Sequence, residues 1–446
     1  MTLLHQSRLF FLIAKELAQK YTKSLALGFV SGLILSLVLW RIIPFVQWQW
    51  FTPVDRIGLV GEFTPSTLPL SIQKEISGGL TDIAVDGTVL PALATSWTAT
   101  DSGKTYVFTL KSDAVWHSGK SVKAADINYN IRNVKFSPID THTIRVTLNA
   151  PYSPFPAVVS KPLFLSGLIG WGPYKVTSIR LNGNTVVSIR LVPRKQSNHV
   201  REYHFYKTET DAIIAYKMGE VGELDDLSSP ADLTHWGKSE VKETTNYNRI
   251  VSLYFNLTIQ KLSERSFRQA LAFAVPSKQG NDPANSPISK ISWAYSSKVK
   301  DYSYDISQSK KLLGSSEESS ASASLTISTF AQYLDDAEAI ATGWTALGIP
   351  TDVRVVSAVP QDYQVLLSAQ DLPPDPDQYP FWHSTQKGTN ITGYANVKID
   401  KLLEDGRQKL DMKERKLIYT DFQRYLTEDV PAVFMYYAKS YSVKRR

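Results

Sequence analysis

The densest chemistry in this 446-residue chain lies in one stretch, Asp371-Leu-Pro-Pro-Asp375-Pro-Asp377-Gln-Tyr379-Pro-Phe-Trp382-His383-Ser-Thr-Gln386. Three carboxylates, aromatic faces and hydrogen-bonding side chains are held close together by prolines that fix φ. A loop of that make-up can pair a cationic group of a small solute with Asp371, Asp375 or Asp377. It can lay the solute's apolar part on Tyr379 or Trp382, with His383 as a further polar contact. The same residue types also suit a structural role, with Trp382 and Tyr379 filling a core while the prolines shape a turn. Both readings stay open at this level.

Other chemistry is scarce. There is no G-x-S-x-G, no H-E-x-x-H, no Walker loop and no G-x-G-x-x-G following a strand. The seven histidines (His5, His117, His142, His199, His204, His235 and His383) contain no pair at metal-ligand spacing on a helix. Asp225-Asp226 is the other visible carboxylate pair, and a solvated loop is its plain reading. The absence of cysteine excludes disulfides, thiolate metal sites, a cysteine nucleophile and a lipid-bearing N-terminal cysteine. These features favour a binding protein over an enzyme and call for no metal or other cofactor.

The net charge of +7 raises the question of nucleic acid. Its distribution answers it. Residues 1–50 hold five basic side chains and one acid, so 44 basic and 41 acidic side chains remain for the rest of the chain. Only the tail Lys444-Arg445-Arg446 is a dense basic run. The surface is of mixed charge, and no nucleic-acid partner is expected.

The elements that must position the loop begin with a membrane segment. Leu25–Leu39 carries no charge, and the span 25–46 can cross a bilayer if Arg41 snorkels to the interface. Trp40, Trp48 and Trp50 fall where an aromatic belt would sit. No small-x-small pattern follows, so the segment reads as an uncleaved anchor. The basic residues before it place 1–24 on the cytoplasmic side and the chain beyond about residue 50 outside the cell membrane.

From Pro53 onward strand-like and helix-like segments alternate without a repeat. Tyr106–Lys111 and Thr143–Leu148 alternate as half-buried strands, with a helix expected over Lys123–Ile131. Asn182-Gly-Asn184 turns a hairpin. Thr208 caps a helix that Gly219 ends, and Ser263 is expected to cap Ser266–Val275. Residues 314–324, rich in serine, read as a surface loop. Leu325–Phe330, Leu334–Leu347 and Thr351–Val356 form a β-α-β unit with a right-handed crossover. Two helices, Asp400–Leu410 and Lys413–Leu426, close the chain, the second capped by Asp411 with Glu414. The whole is mixed α/β, in pieces that suit two lobes.

One family is matched in order along about 340 residues. Pro91-Ala-Leu-Ala-Thr-Ser-Trp97, Gly103-Lys-Thr-Tyr-Val-Phe-Thr-Leu110 and Val115-Trp-His-Ser-Gly119 are followed by Gly172-Pro-Tyr-Lys-Val176 and Ala215-Tyr-Lys-Met-Gly-Glu-Val221. Tyr254-Phe-Asn256, Arg268-Gln-Ala-Leu-Ala272, Pro374-Asp-Pro-Asp377 and Pro431-Ala-Val-Phe434 complete the series. The chain thereby resembles the family 5 extracellular solute-binding proteins, the oligopeptide, dipeptide and nickel receptors of ABC importers.

The resemblance implies a periplasmic-binding-protein-like fold of two lobes that close on a hinge. Lobe I would take 53–65, 161–255 and 431–446, with an inserted subdomain over 66–160; lobe II would take 256–430. It further implies capture of a peptide or similar small solute and delivery to ABC transporter permease subunits. A solute sensor or cell-surface interaction module on the same fold is the alternative. In peptide-binding members an aspartate just before the Asp-Pro pair receives the ligand's α-amino group. Asp371 is the nearest match, with Asp375 and Asp377 as alternatives because its spacing to Asp375-Pro376 is one residue longer. The chain departs from the family in its short 111–160 insert, in Val275-Pro-Ser-Lys278 and in ending soon after Phe434. Peptide is preferred over nickel or haem because the loop is acidic and aromatic without a histidine cluster.

Overall fold

A computed structural model describes residues 15, 20–51, 53–195, 199–277, 280–314 and 324–446. Most of the segment 1–24, and residues 315–323 of the serine-rich loop, lie outside them. The chain divides into two units, one of residues up to Asp55 with Lys195–Arg201, the other of Arg56–Arg194 with Glu202–Arg446.

In the first unit the apolar segment forms one thirty-residue helix, α1 (Thr22–Phe51). Its described side chains over 26–41 are all exposed, among them Leu27, Phe29, Leu35 and Trp40. Among the described residues no helix is long and apolar enough to cross a membrane. The span expected over 25–46 runs beyond them, because the side chains of Leu25 and of residues 42–51 are not included.

The second unit is organised by a ten-stranded sheet. Its strands in chain order are β1 (Val54–Val60), β2 (Tyr174–Asn182), β3 (Thr185–Pro193), β4 (Val200–Tyr206), β5 (Glu223–Leu227), β6 (Ser239–Phe255), β7 (Leu325–Thr329), β8 (Thr351–Val355), β9 (Val365–Asp371) and β10 (Ala432–Arg445). They lie in the order β8-β7-β9-β6-β10-β5-β1-β4-β3-β2. The long strands β6 and β10 pair antiparallel from Ser239↔Arg445 to Tyr254↔Ala432. They tie the two ends of the sheet together. β6 is buried on both faces at its C-terminal end, Val251, Leu253 and Phe255 in one cluster and Ile250 and Tyr254 in another. That two-sided burial explains why Ile250–Phe255 reads as a nearly unbroken apolar run.

The expected β-α-β unit forms. β7 and β8 pair in parallel, and α3 (Leu334–Ala346; α2 is Arg265–Phe273) buries Ala337, Ile340, Ala341 and Trp344 against them. The helix α2 differs from expectation at its start. Ser263 closes a preceding short helix, its hydroxyl donating to the Gln260 carbonyl at 2.6 Å, and Glu264 takes the N-cap position. The two helices α4 (Val397–Gln408) and α5 (Met412–Asp429), which β10 follows, begin at Asn396 and Asp411, whose side chains accept from Lys398 N and Glu414 N. Thr208 and Gly219 bound their helix as expected, Gly219 at φ 86°.

A four-stranded antiparallel sheet (Ala94–Thr100, Thr105–Leu110, Thr143–Leu148, Val134–Pro138) builds a small subdomain around Phe108, Trp116 and Ile144. The helix expected over Lys123–Ile131 is absent; only the turn Ala124–Asp126 is helical. Asp126 accepts from Lys123 N and Trp116 Nε1 and pins the turn, while Asn130 and Asn133 adopt φ of 51° and 63°, conformations no helix contains. Ala124 and Ile127 enter the core without a helix to carry them, so their spacing misled.

The segment Gly170-Trp-Gly-Pro173 packs backbone to backbone against residues 75–78. A Cβ on Gly170 would sit 2.1 Å from the Ile76 carbonyl oxygen and 2.6 Å from Ser77 Cβ. Overpacking of a fixed backbone costs about 1–3 kcal/mol. Gly170→Ala is expected to destabilise by that amount in denaturant unfolding, and a loss below about 0.5 kcal/mol would refute this account of the close approach.

Candidate functional site

The six residues singled out in the loop separate in space. Asp375 is buried and meets Arg415 of α5 through two parallel contacts, Nη2–Oδ1 at 2.8 Å and Nη1–Oδ2 at 3.1 Å. Burial alone would depress the Arg415 guanidinium's pKa; the Asp375 carboxylate and Tyr419 outweigh that and raise it. Asp377 is likewise buried. Arg407 of α4 donates to it from Nε at 3.0 Å to both oxygens, and the Tyr152 hydroxyl donates at 3.1 Å. Both carboxylates are therefore neutralised within the fold.

The Arg407 guanidinium also lies 3.7 Å above the Tyr379 ring, which in turn stacks on His383 at 4.0 Å between centroids. His383 is buried. Its Nδ1 accepts from Thr385 N at 3.2 Å, and its Nε2 faces Glu404 Oε1 at 3.5 Å. Asp377, Tyr379 and His383 thus belong to one stack with Arg407. Trp382 points elsewhere, packing edge-on to Phe434 with its indole N–H on Gln378 Oε1 at 3.3 Å.

Asp371 stands apart from the stack. It ends β9, directly across from Arg249 of β6, and Arg249 Nε donates to Oδ1 at 2.7 Å. The Asp371 side chain is 71% exposed, so most of its carboxylate remains accessible. Its hydrogen bond raises the pKa of Arg249 against the opposing effect of burial, with Asp226 helping. Asp226, at the end of β5, sits at φ 55° where the β5/β10 register slips. Burial lifts its carboxyl above the ordinary range, Arg249 pulls it back, and Asp225 and Asp371 push with burial. A non-glycine residue held at positive φ, its own carboxyl shifted, is the kind of strain that collects at functional sites.

Arg249 also marks a break in pairing, since the β6/β10 register shifts between Thr245 and Ile250. Next to it, β9 has an uncovered edge. Val365–Leu367 are flanked by β6 and β7, but β7 ends opposite Leu367. Beyond it, residues 368–371 pair with β6 alone among the described residues. An extended backbone can add to such an edge. A cavity of about 310 Å³ opens beside this point, lined by Asn248, Leu372 and Pro374 on one side and Lys74, Asp86 and Gly87 on the other.

Arg249, Asp226 and the open edge were not foreseen. Asp226 was visible only as half of a carboxylate pair, and Arg249 carried no signal of its own. Arg249 meets Asp371 only through strand register across 122 positions.

The fold recurs in solved structures. CtaP, an ABC transporter substrate-binding protein of Listeria monocytogenes, superposes with a TM-score of 0.76 at 21% identity over 88% of this chain and 94% of that one. NikZ of Campylobacter jejuni, solved with Ni(L-His), gives 0.72 at 20% over the same shares. The architecture is thus the two-lobed, mixed α/β fold of periplasmic binding proteins. In sequence, residues 88–390 match the profile of bacterial extracellular solute-binding proteins, family 5. The dipeptide-binding protein DppE of Bacillus subtilis is 24% identical over 82% of this chain and 81% of its own length. The chain belongs to the family 5 extracellular solute-binding proteins, and it is a binding protein rather than an enzyme.

Proposed function

We propose that this protein captures peptides at the Asp371 edge and hands them to an ABC-type importer. The observation that carries the reading is a well-exposed carboxylate at the end of a strand whose outer edge, over residues 368–371, has no partner strand among the described residues. A peptide's α-ammonium group would meet Asp371, and its backbone would add to residues 368–371, a pairing that gives affinity without regard to sequence. The cavity by Asn248 and Leu372 would receive adjoining atoms. Asp375, Asp377, Tyr379 and His383, although proposed as contacts from sequence, serve in this reading as the frame that holds the loop. The names of relatives agree with a peptide ligand: a dipeptide-binding protein in Bacillus subtilis and a di/tripeptide-binding protein in Pseudomonas aeruginosa.

The break in the β6/β10 register is where the hinge would lie. Closure would exclude water and strengthen the Asp371 contact. The lobe boundaries, with 66–160 inserted in lobe I and 256–430 as lobe II, belong to the same proposal. So does anchoring by residues 25–46, supported by the exposed apolar side chains of α1. A tether of that kind raises the local concentration of the binding lobes near a permease.

Mass spectrometry of small molecules released on denaturing the natively purified full chain tests the reading. Recovery of short peptides is the expected result. A protein that releases none, and shows no thermal shift with a peptide mixture, overturns it.

A further inference from the structure

A second cavity lies beside Trp382. It encloses about 320 Å³ against the β9 residues Ser368, Ala369 and Gln370, beneath Phe381 and Trp382, with Val359 and Ile391 at its rim. It therefore adjoins the uncovered edge of β9. A strand added there would project alternate side chains to opposite faces of the sheet. One face holds Asp371 and Arg249; the other opens on this cavity.

We propose that the captured peptide places an apolar side chain, leucine- to phenylalanine-sized, in the cavity beside Trp382, and that this position sets its specificity. The inference rests on the peptide reading above.

Three observations support it. First, none of the residues lining the cavity is charged. An ammonium or carboxylate entering it would lose water without gaining a counter-ion. Second, most of the side-chain polar groups on its wall are already engaged. Tyr254 donates its hydroxyl to Gln370 Oε1 at 2.7 Å, Trp382 Nε1 donates to Gln378, Thr392 Oγ1 bonds Asn390 Oδ1 at 3.0 Å, and Thr389 Oγ1 donates to the Pro380 carbonyl. The wall acts as an apolar surface even where it bears oxygen. Third, Val359 and Ile391 stand 48% and 40% exposed at the rim, where an apolar guest would cover them. The adjoining cavity of about 670 Å³ shares Val359 and Ile391 but carries Lys387, Asn256 and Gln361. Its polar wall suits the apolar guest less well.

The test is calorimetric titration of the full chain with tripeptides in which one alanine of Ala-Ala-Ala is replaced in turn by Leu, Phe, Lys or Glu. At one position Leu and Phe are expected to bind about 10- to 100-fold more tightly than Lys and Glu, the worth of burying one such side chain. Ile391→Glu, at an exposed rim position, should erase that preference and favour Lys at the same position, while Ile391→Leu should keep it. Peptides that bind with no positional preference, or with one that Ile391→Glu leaves unchanged, overturn this inference and leave peptide capture standing. If none of the tripeptides binds the wild-type chain, both fall.

Discussion

Replacing Asp375 by alanine should cost about 3–5 kcal/mol of folding stability, the largest single-residue loss expected in this chain. The pair it breaks is nearly enclosed, with side-chain exposures of 8% for Arg415 and 10% for Asp375. Arg415 spends its other donors on the Gly406 carbonyl at 2.9 Å and the Tyr419 hydroxyl at 3.2 Å. Without Asp375 the guanidinium remains buried and loses the carboxylate that pairs with it. Loss of one partner from a buried, hydrogen-bonded ion pair costs far more than an exposed pair contributes.

The double variant Asp375→Leu with Arg415→Met removes both charges together and is expected to recover most of the loss. Guanidinium unfolding of the three proteins makes the comparison. If Asp375→Ala costs less than about 1 kcal/mol, the pair is not the structural clamp described here. Tyr106 reports on the same cluster from the small subdomain. Burial pushes its hydroxyl up to about 12, with Arg415 opposing and Asp375 assisting.

This clamp also shows what the sequence could and could not disclose. The loop 371–386 announced itself by composition, because prolines, acids and aromatics in one place constrain the chain wherever it is put. Strands such as Tyr106–Lys111 and the β7-α3-β8 unit were legible because their apolar periodicity is a local property. Caps such as Thr208 and Asp411 were legible for the same reason. The partners of the loop were not. Asp375 meets Arg415 forty positions on, and Asp377 meets Arg407 thirty positions on. Nothing in either neighbourhood states that these arginines, among 49 basic side chains, are the ones turned inward. Three aspartates within seven residues look interchangeable in one dimension. Packing neutralises two of them and leaves the third at the end of a strand. The failed helix at 123–131 has a related cause: apolar spacing at 124, 127 and 131 fits a helix, but asparagines at positive φ divert the chain.

Peptide affinity should fall about 30- to 700-fold in Asp371→Asn, if closure buries the ammonium–carboxylate contact proposed here. That range corresponds to ~2–4 kcal/mol for loss of one partner of a buried charged hydrogen bond. Asparagine keeps the shape of the side chain and one acceptor oxygen, so the change isolates charge. Folding should be little affected, because Asp371 is largely exposed and its pair with Arg249 is worth at most about 1 kcal/mol.

Arg249→Leu is expected to act in the opposite direction. The guanidinium occupies Oδ1 of Asp371 and offsets Asp226, so its removal leaves two carboxylates to attract one ammonium. Acid should weaken binding to the wild-type chain. The Asp226 carboxyl is held above its ordinary value, so lowering the pH through that raised value protonates it and removes one negative charge from beside the ligand. Affinity for the ammonium form therefore rises with pH as Asp226 ionises, and Asp226→Asn should flatten that rise. N-acetylated peptides complete the comparison: they should bind as weakly to the wild type as free peptides bind to Asp371→Asn. Equal affinity of free and acetylated peptides for the wild type would remove Asp371 from the site and return the question of the ligand's cation to the cavity lined by Asp86.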